Sequence, residues 1–141
     1  MIRSALILLC GLLLITACEN GAAPPAAGQD AVANLRDVSV SQAAELIERD
    51  ENVIVLDVRS VGEFESGHID GAMNVSFHEP DFETALSKLD KDAEYVLTCE
   101  SGGRSGKTLR KLREMGFLNV AHLKRGMAGW RNADMPVAAA E

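Results

Sequence analysis

Residues 95–108, YVLTCESGGRSGKT, place a cysteine between a short apolar run and a glycine-rich segment. The apolar run has the length and composition of a buried strand, and an apolar helical spacing begins at Lys107. This order predicts a buried strand, a tight loop and a helix, with Cys99 at the point where the strand ends and the loop begins. Loop amides that face inward and the positive end of a helix both favour a thiolate, so this cysteine is a candidate nucleophile.

Apolar runs of strand length alternate with helical patterns over most of the chain. Residues 52–58, NVIVLDV, contain a nearly continuous apolar run, which is typical of a strand buried on both faces. Alternating strands and helices predict an α/β domain with a mainly parallel sheet. Ligands of such sheets bind beyond the carboxyl ends of the strands, and Asp57, Arg59 and Cys99 fall at such ends.

The N-terminal residues predict export and anchoring. In residues 1–17 the single basic residue, Arg3, precedes an apolar run too short to span a bilayer, which is the pattern of a signal peptide. Residues 15–18, ITAC, resemble a bacterial lipobox and predict lipidation of Cys18; an ordinary cleaved signal peptide or an uncleaved anchor is the alternative. Residues 18–31 have no large apolar side chain and predict a flexible tether.

We therefore expect a folded domain over residues 32–137, followed by a disordered tail over residues 138–141. The domain would face the periplasm and be anchored to a bacterial membrane through Cys18. An aspartate directly after a lipid-bearing cysteine is the pattern that resembles an inner-membrane retention signal. Glu19 stands there instead, which favours the outer membrane.

The cysteine count and the charge restrict the possible functions. Cys10 belongs to the expected signal peptide and Cys18 to the lipobox, so Cys99 is the only free thiol expected in the mature domain. The net charge of −7 argues against nucleic acid as a partner, since phosphate binding needs clustered Lys and Arg. No metal or organic cofactor is expected, because the three histidines have no ligand-like spacing with Cys99.

Three blocks of this sequence resemble the rhodanese (thiosulfate sulfurtransferase) family in its single-domain form. The first block contains LDVR at residues 56–59, EF at residues 63–64 and GHIDGAMN at residues 67–74. The second, CESGGRS at residues 99–105, resembles the active-site loop of the family. The third is GFLNV at residues 116–120, with Leu123, Gly126 and Trp130 after it. The resemblance implies one rhodanese-like domain, with the active-site loop at the C-terminal end of a central strand.

The same resemblance implies how sulfur transfer proceeds. Cys99 would take a sulfur atom from thiosulfate or a related donor, hold it as a persulfide, and pass it to cyanide, a thiol or a protein acceptor in a ping-pong reaction. Arg104 would bind or orient the anionic donor, and loop residues would stabilise negative sulfur through their amides. Those loop residues are Glu100, Ser101, Gly102, Gly103 and Ser105. Asp57 and Arg59 resemble a supporting pair with a structural role, and the persulfide replaces any cofactor.

Two features of the chain depart from the family pattern. The carboxylate of Glu100 directly follows the nucleophile; it opposes the thiolate if it faces the pocket and has little effect if it points to solvent. Residues 123–126, LKRG, stand where the family more often has a Gly-Gly pair. This difference alters the expected turn and adds two positive charges near the site.

Other functions remain alternatives at this point. Cysteine phosphatases and arsenate reductases use a related loop, but theirs is one residue longer than the four residues between Cys99 and Arg104, so loop length favours sulfur transfer. A sulfur carrier or a non-catalytic binding module in the cell envelope, or a redox role for the persulfide, stays open because no motif labels the partner surface. His68 is interpreted as a turn residue rather than a general base.

Overall fold

Strands and helices alternate along residues 33–139, the part of the chain that the computed structural model describes. The strands are β1 (Asn34–Val38), β2 (Ile54–Asp57), β3 (Met73–Asn74), β4 (Glu94–Thr98) and β5 (Asn119–Leu123). The helices are α1 (Val40–Arg49), α2 (Val61–Glu65), α3 (Phe82–Ser87), α4 (Gly103–Glu114) and α5 (Gly126–Asn132). The expected signal peptide (residues 1–17) and the whole of the expected tether (18–31), including Cys18, lie outside the described residues.

The five strands form one parallel sheet in the order β1-β5-β4-β2-β3. This topology confirms the predicted α/β fold. Strand β4 is central because it pairs with β5 on one side and with β2 on the other. The carboxyl ends of parallel strands meet at one edge of the sheet, so the residues that follow β2, β4 and β5 lie near one another there.

Helices cover both faces of the sheet. On one face, α1 and α5 contribute Leu46 and Trp130 to a core that also includes residues of β1, β2, β4 and β5. On the other face, α3 and α4 contribute Leu86 and Leu112, both fully buried. Because β4 is buried on both faces, its three middle residues, Tyr95, Val96 and Leu97, form a continuous apolar run rather than an alternating pattern.

Helix α4 begins at Gly103, four residues before the start at Lys107 that the apolar spacing predicts. Gly102 adopts a left-handed backbone with φ +93°, and the amide of Gly106 donates to its carbonyl over 2.9 Å. The first residues of α4, GRSG, contain no apolar side chain, so hydrophobic periodicity assigns them to the loop. Arg104 and Ser105 therefore lie in the first helical turn, which corrects the predicted boundary.

The chain after α5 returns to the domain and pairs with the segment after α2. Ala138 exchanges two backbone hydrogen bonds with His68, each of 2.8 Å. These two bonds hold Ala138, one residue beyond the predicted boundary at residue 137, against the segment after α2. Within residues 33–139, no helix is both long and apolar enough to cross a membrane.

Candidate active site

Cys99 directly follows the central strand β4 and lies at the carboxyl edge of the sheet. Its side chain is 1% exposed and belongs to the core between the sheet and helices α3 and α4. The neighbouring strand β2 ends at Asp57, which is in register with Thr98. The buried strand therefore delivers the thiol to the edge where parallel sheets bind their ligands.

Two glycines let the β5–α5 turn approach the loop that follows Cys99. Gly102 has φ +93° and Gly126 has φ +55°, values that favour glycine. A Cβ atom on Gly102 would lie closer than 3.0 Å to the carbonyl oxygen of Lys124. A Cβ atom on Gly126 would also lie closer than 3.0 Å to the carbonyl oxygens of Cys99 and Glu100. Any larger residue at either position therefore has to displace backbone at the site.

Helix α5 fixes the loop through its first amides. Met127 N donates to the carbonyl of Cys99 over 2.8 Å, and Ala128 N donates to the carbonyl of Glu100 over 2.9 Å. Arg125 precedes the helix with an ordinary φ of −95°, so its position does not require glycine. The departure from the Gly-Gly pair is thus tolerated, because only Gly126 makes the close approach.

Hydrogen bonds favour the ionised form of the Cys99 thiol. Burial raises its pKa, but the Ser105 hydroxyl and the backbone amides of Ser105, Ser101 and Gly102 together outweigh burial and lower the pKa below its usual value. The Ser105 hydroxyl and the Gly102 amide each lie 3.2 Å from Sγ. The site therefore favours a thiolate in an otherwise apolar position, which is the requirement for a nucleophile.

A histidine that the sequence motifs do not identify also contacts the site. His122, in β5, has Nε2 2.9 Å from the Ser105 hydroxyl oxygen and Nδ1 2.8 Å from Asp37 Oδ1. This hydrogen bond with His122 is the largest cause that lowers the pKa of Asp37. Metal-ligand spacing with Cys99 does not identify His122. The hydrogen-bond partners of His122 are Ser105 and Asp37, and Asp37 lies in β1, which is far from β5 along the chain.

The guanidinium of Arg104 forms a two-pronged ion pair with Glu63. Its two terminal nitrogens lie 2.7 and 2.6 Å from the two carboxylate oxygens. Glu63 is itself fixed by Ser60, whose amide and hydroxyl donate to Oε2 at the start of α2. The Arg104 pair is the largest cause that lowers the pKa of Glu63 to about 2, so this carboxylate is ionised at neutral pH. Helix α2 is thereby joined to the first turn of α4.

The carboxylate of Glu100 is held by two arginines. Arg131 of α5 forms an ion pair with one of its oxygens, and Arg59 Nη1 lies 3.6 Å from the other. The Glu100 side chain is partly exposed, on a cleft of about 280 Å³ that these arginines also line. Its negative charge next to the nucleophile is therefore compensated on the side of the cleft.

Asp57 and Arg59 form a buried pair that shapes the neighbouring turn. Arg59 is 1% exposed, and its Nε and Nη2 contact Asp57 Oδ2 at 2.8 and 2.7 Å. Nη2 also donates to the carbonyl of Gly67 over 2.7 Å. The pair thus joins the end of β2 to the segment before His68.

The other predicted residues are placed as follows. The amides of Ser101, Gly102 and Ser105 face the sulfur, whereas those of Glu100 and Gly103 make no hydrogen bond with it. His68 stacks on Phe64, with ring centroids 3.9 Å apart, and its Nδ1 contacts the Phe64 carbonyl, which agrees with its interpretation as a turn residue. Within residues 33–139, no group of three or more His, Cys, Asp or Glu residues is arranged to hold a metal ion.

Comparison with known proteins identifies relatives over most of this domain. The family model of the rhodanese-like domain matches residues 39–133. The Bacillus subtilis protein YtwF, named as a candidate sulfurtransferase, is 34% identical over 102 residues, which cover 72% of this chain and 96% of YtwF. The thiosulfate sulfurtransferase GlpE of Shewanella oneidensis is 29% identical over 103 residues, or 73% of this chain and 99% of GlpE.

A further relative is longer than the matched region. YrkF of Bacillus subtilis, named as a candidate sulfur carrier protein, is 29% identical over 97 residues, which cover 69% of this chain and 51% of YrkF. The chain thus spans about half the length of that relative. Among solved structures, a rhodanese-related protein of Thermoplasma volcanium matches with a TM-score of 0.64 and 28% identity, over 74% of this chain and 99% of that one.

Proposed function

The chain belongs to the rhodanese-like domain family, and from this premise we propose that it moves a sulfane sulfur from thiosulfate or a related donor to a thiophilic acceptor through a persulfide on Cys99. The observation that carries the proposal is the hydrogen-bonded, low-pKa thiol at the carboxyl edge of the sheet. The names of relatives such as GlpE and YtwF support sulfur transfer as the type of reaction. The specific donor and the persulfide are our inference.

The first half-reaction needs a thiolate, a place for negative sulfur and a cation near the donor. The Cys99 thiolate attacks the outer sulfur of thiosulfate and forms a new S–S bond. The original S–S bond breaks, and its electron pair leaves with sulfite. The amides of Ser101 and Gly102 favour negative charge on the cysteine sulfur before the attack. Arg104 would bind the donor anion while it stays paired with Glu63, since a guanidinium carries five N–H donors and Glu63 accepts only two of them.

The second half-reaction restores the thiolate. A nucleophilic acceptor such as cyanide or a thiolate attacks the outer sulfur of the Cys99 persulfide, and the bond between the two sulfur atoms breaks. The electron pair returns to Cys99, and no net oxidation of the protein occurs. No metal or organic cofactor enters this scheme, because the sulfur atom is carried covalently on Cys99.

The thiocyanate assay, with thiosulfate and cyanide, tests this proposal directly. We would use the full chain with Cys10→Ser and Cys18→Ser in mild detergent, so that Cys99 is the only cysteine. Thiocyanate should form, and an added Cys99→Ser change should abolish it while the circular dichroism spectrum stays the same. Activity that survives this change would contradict the role of Cys99.

A sulfur carrier that serves one dedicated protein is the second candidate, and the likeness to YrkF favours it. Such a carrier would form the Cys99 persulfide once but would turn over slowly with cyanide or small thiols. Mass spectrometry after treatment with thiosulfate separates the cases: a persulfide without turnover indicates a carrier. With a folded protein and a reduced thiol, the absence of both products would direct attention to phosphatase chemistry.

We further propose that the domain faces the periplasm and is anchored to a bacterial membrane by a lipid on Cys18. This proposal rests on the lipobox at residues 15–18 and on the tether composition of residues 18–31. Fractionation of cells that express the Cys18→Ser variant tests it, by showing whether the protein leaves the membrane fraction.

A further inference from the structure

A line of hydrogen bonds leads from the candidate nucleophile across the sheet to solvent. The Ser105 hydroxyl lies 3.2 Å from Cys99 Sγ and 2.9 Å from His122 Nε2. His122 Nδ1 lies 2.8 Å from Asp37 Oδ1. We name Ser105, His122 and Asp37 the relay residues.

The sheet register brings the relay residues onto one face. His122 is in register with Asp37 of β1 and with Leu97 of β4, so the three side chains point the same way from adjacent parallel strands. Cys99 follows Leu97 by two residues on that face, and the first turn of α4 places Ser105 over the gap between Cys99 and His122.

Burial gives the line a closed end and an open end. Ser105 is fully buried and His122 is 5% exposed, whereas the side chain of Asp37 is 48% exposed. Lys124 Nζ lies 3.4 Å from the second oxygen of Asp37. A proton that leaves the buried thiol therefore has a hydrogen-bonded route to a carboxylate at the surface.

The donor count fixes the direction of each hydrogen bond. A serine hydroxyl has one proton, so when Ser105 donates to a Cys99 thiolate it must accept from Nε2–H of His122. The carboxylate of Asp37 accepts only, so Nδ1 must also carry a proton. The thiolate state is therefore matched by an imidazolium that lies between Ser105 and Asp37. In the thiol state Sγ–H donates to Ser105, which donates to an unprotonated Nε2, while Nδ1–H still donates to Asp37.

We propose that Ser105, His122 and Asp37 form a proton relay that takes the proton of Cys99 before sulfur transfer and returns it afterwards. In the forward step the Sγ–H proton moves to the Ser105 oxygen while the hydroxyl proton moves to Nε2. The reverse step restores the thiol, and no atom or electron is gained or lost. Ser105 contacts the reacting sulfur, whereas His122 and Asp37 act through it as positioning residues. The inference deepens the proposed function and rests on it.

Other charged groups lie on the elements around the thiol. From α4, Arg104 is close enough to Cys99 for each to favour the charged form of the other, although Glu63 is its main partner. From β2, Asp57 is paired with Arg59, and on the loop Glu100 is paired with arginines. These groups are present in every variant below, so they contribute equally to each comparison.

The test measures the ionisation of Cys99 without relying on catalysis. We would record thiolate absorbance against pH in the full chain carrying Cys10→Ser and Cys18→Ser, and subtract the curve of the same chain with Cys99→Ser. His122→Asn should move the midpoint upward by about one pH unit, because a nearby cation is lost. Asp37→Asn should produce a smaller shift in the same direction. His78→Asn, at an exposed histidine outside the relay, should leave the curve unchanged.

The double variant decides whether His122 acts through Ser105. Ser105→Ala alone should raise the midpoint at least as much as His122→Asn. His122→Asn added to Ser105→Ala should cause almost no further shift, because coupled residues are not additive. Two shifts that simply add would overturn the relay, and so would an unchanged midpoint in both His122→Asn and Asp37→Asn. If His122→Asn does not fold, the half-exposed Asp37→Asn carries the test alone, and its unchanged midpoint is the overturning result.

A thiocyanate assay on the same parent chain separates this inference from the proposed function. Shifted titration curves without thiocyanate would support the relay and contradict transfer from thiosulfate to cyanide. Thiocyanate formation with unshifted curves would support the transfer and overturn the relay.

Discussion

Replacing Gly102 with alanine should damage both the stability of the domain and the reactivity of Cys99. Gly102 has φ +93°, its amide donates to Cys99 Sγ, and a Cβ atom there would press against the Lys124 carbonyl. That carbonyl belongs to the backbone that follows β5, where the Lys124 amide is bonded to Val38 of β1. The loop that carries Gly102 therefore has to move, and its hydrogen bond to the sulfur is lost.

The structure separates three contributions to the effect of this change. A left-handed backbone costs alanine about 1–2 kcal/mol relative to glycine. Overpacking against backbone adds about 1–3 kcal/mol, so Gly102→Ala should lower the free energy of unfolding by about 2–5 kcal/mol. The lost hydrogen bond to a charged sulfur is worth about 1.5–3 kcal/mol. This loss corresponds to a rise of about one to two units in the pKa of Cys99, since one unit is about 1.4 kcal/mol.

Gly116→Ala is the matched control for this experiment. Gly116 has a similar φ of +84°, but a Cβ atom there would meet nothing within 4 Å, and it lies at the opposite end of α4. We expect Gly116→Ala to cost only the backbone contribution of about 1–2 kcal/mol and to leave the thiol unchanged. Urea unfolding measures the stability of both variants. Alkylation of Cys99 by iodoacetamide, followed against pH, measures thiolate formation.

The comparison has a clear refuting result. If the two variants lose equal stability and show the same alkylation profile as the parent, the contact between Gly102 and the β5–α5 turn does not hold the loop. If Gly102→Ala is much less stable but keeps the parent profile, the Gly102 amide does not lower the pKa of the thiol. Either result would contradict the description of the site given above.

Three further changes test other parts of the structure. Glu63 has a pKa lowered to about 2, chiefly by Arg104, so their pair stabilises the fold above the ordinary carboxyl pKa of 4.5, and this contribution is lost as pH falls toward 2. Because its side chain is 35% exposed, Glu63→Gln should reduce the acid-induced loss of stability by only about 1 kcal/mol or less, as measured by urea unfolding at several pH values. Asp57→Asn should lower the free energy of unfolding by about 3–5 kcal/mol, because it removes the nearest counter-charge of the buried Arg59 and leaves only the more distant Glu100. Cys18→Ser should move the protein from the membrane fraction to the soluble periplasmic fraction.

Matched changes at the surface control for the two stability predictions. Glu83→Gln removes an exposed partner of Lys111 and should leave the acid profile close to that of the parent. Asp50→Asn removes a partly exposed carboxylate that has no arginine partner among the described residues and should cost far less than the change at Asp57. Equal costs at Asp50 and Asp57 would show that the buried pair contributes nothing special. A Cys18→Ser protein that stays in the membrane fraction would contradict lipid anchoring.

The central strand and its loop illustrate what local sequence predicts well. The apolar run before Cys99 indicates a doubly buried strand, and strand β4 is buried on both faces. Hydrophobic periodicity could not predict the start of α4 at Gly103, because residues 103–106, GRSG, contain no apolar side chain. Their helix follows Gly102, which has a left-handed backbone and lies against the Lys124 carbonyl of the β5–α5 turn, a neighbour that local sequence does not indicate.

The orientation of Glu100 is a second feature that the sequence leaves open. Its position beside the nucleophile suggests repulsion, but the structure pairs its carboxylate with Arg131 and Arg59. Those arginines lie in α5 and after β2, so their approach depends on how both segments pack against the loop.

By itself, the sequence determined the α/β class, the order of most strands and helices, and the choice of Cys99 as the candidate nucleophile, because each is encoded in residues that are close together along the chain. Tertiary structure decided which charges meet. Arg104 and Glu63 are separated by 41 positions, and His122 and Asp37 by 85. Such pairs form only when helices dock and strands fall into register, since a hydrogen bond requires its two atoms within about 3 Å and local sequence places no limit on distant partners.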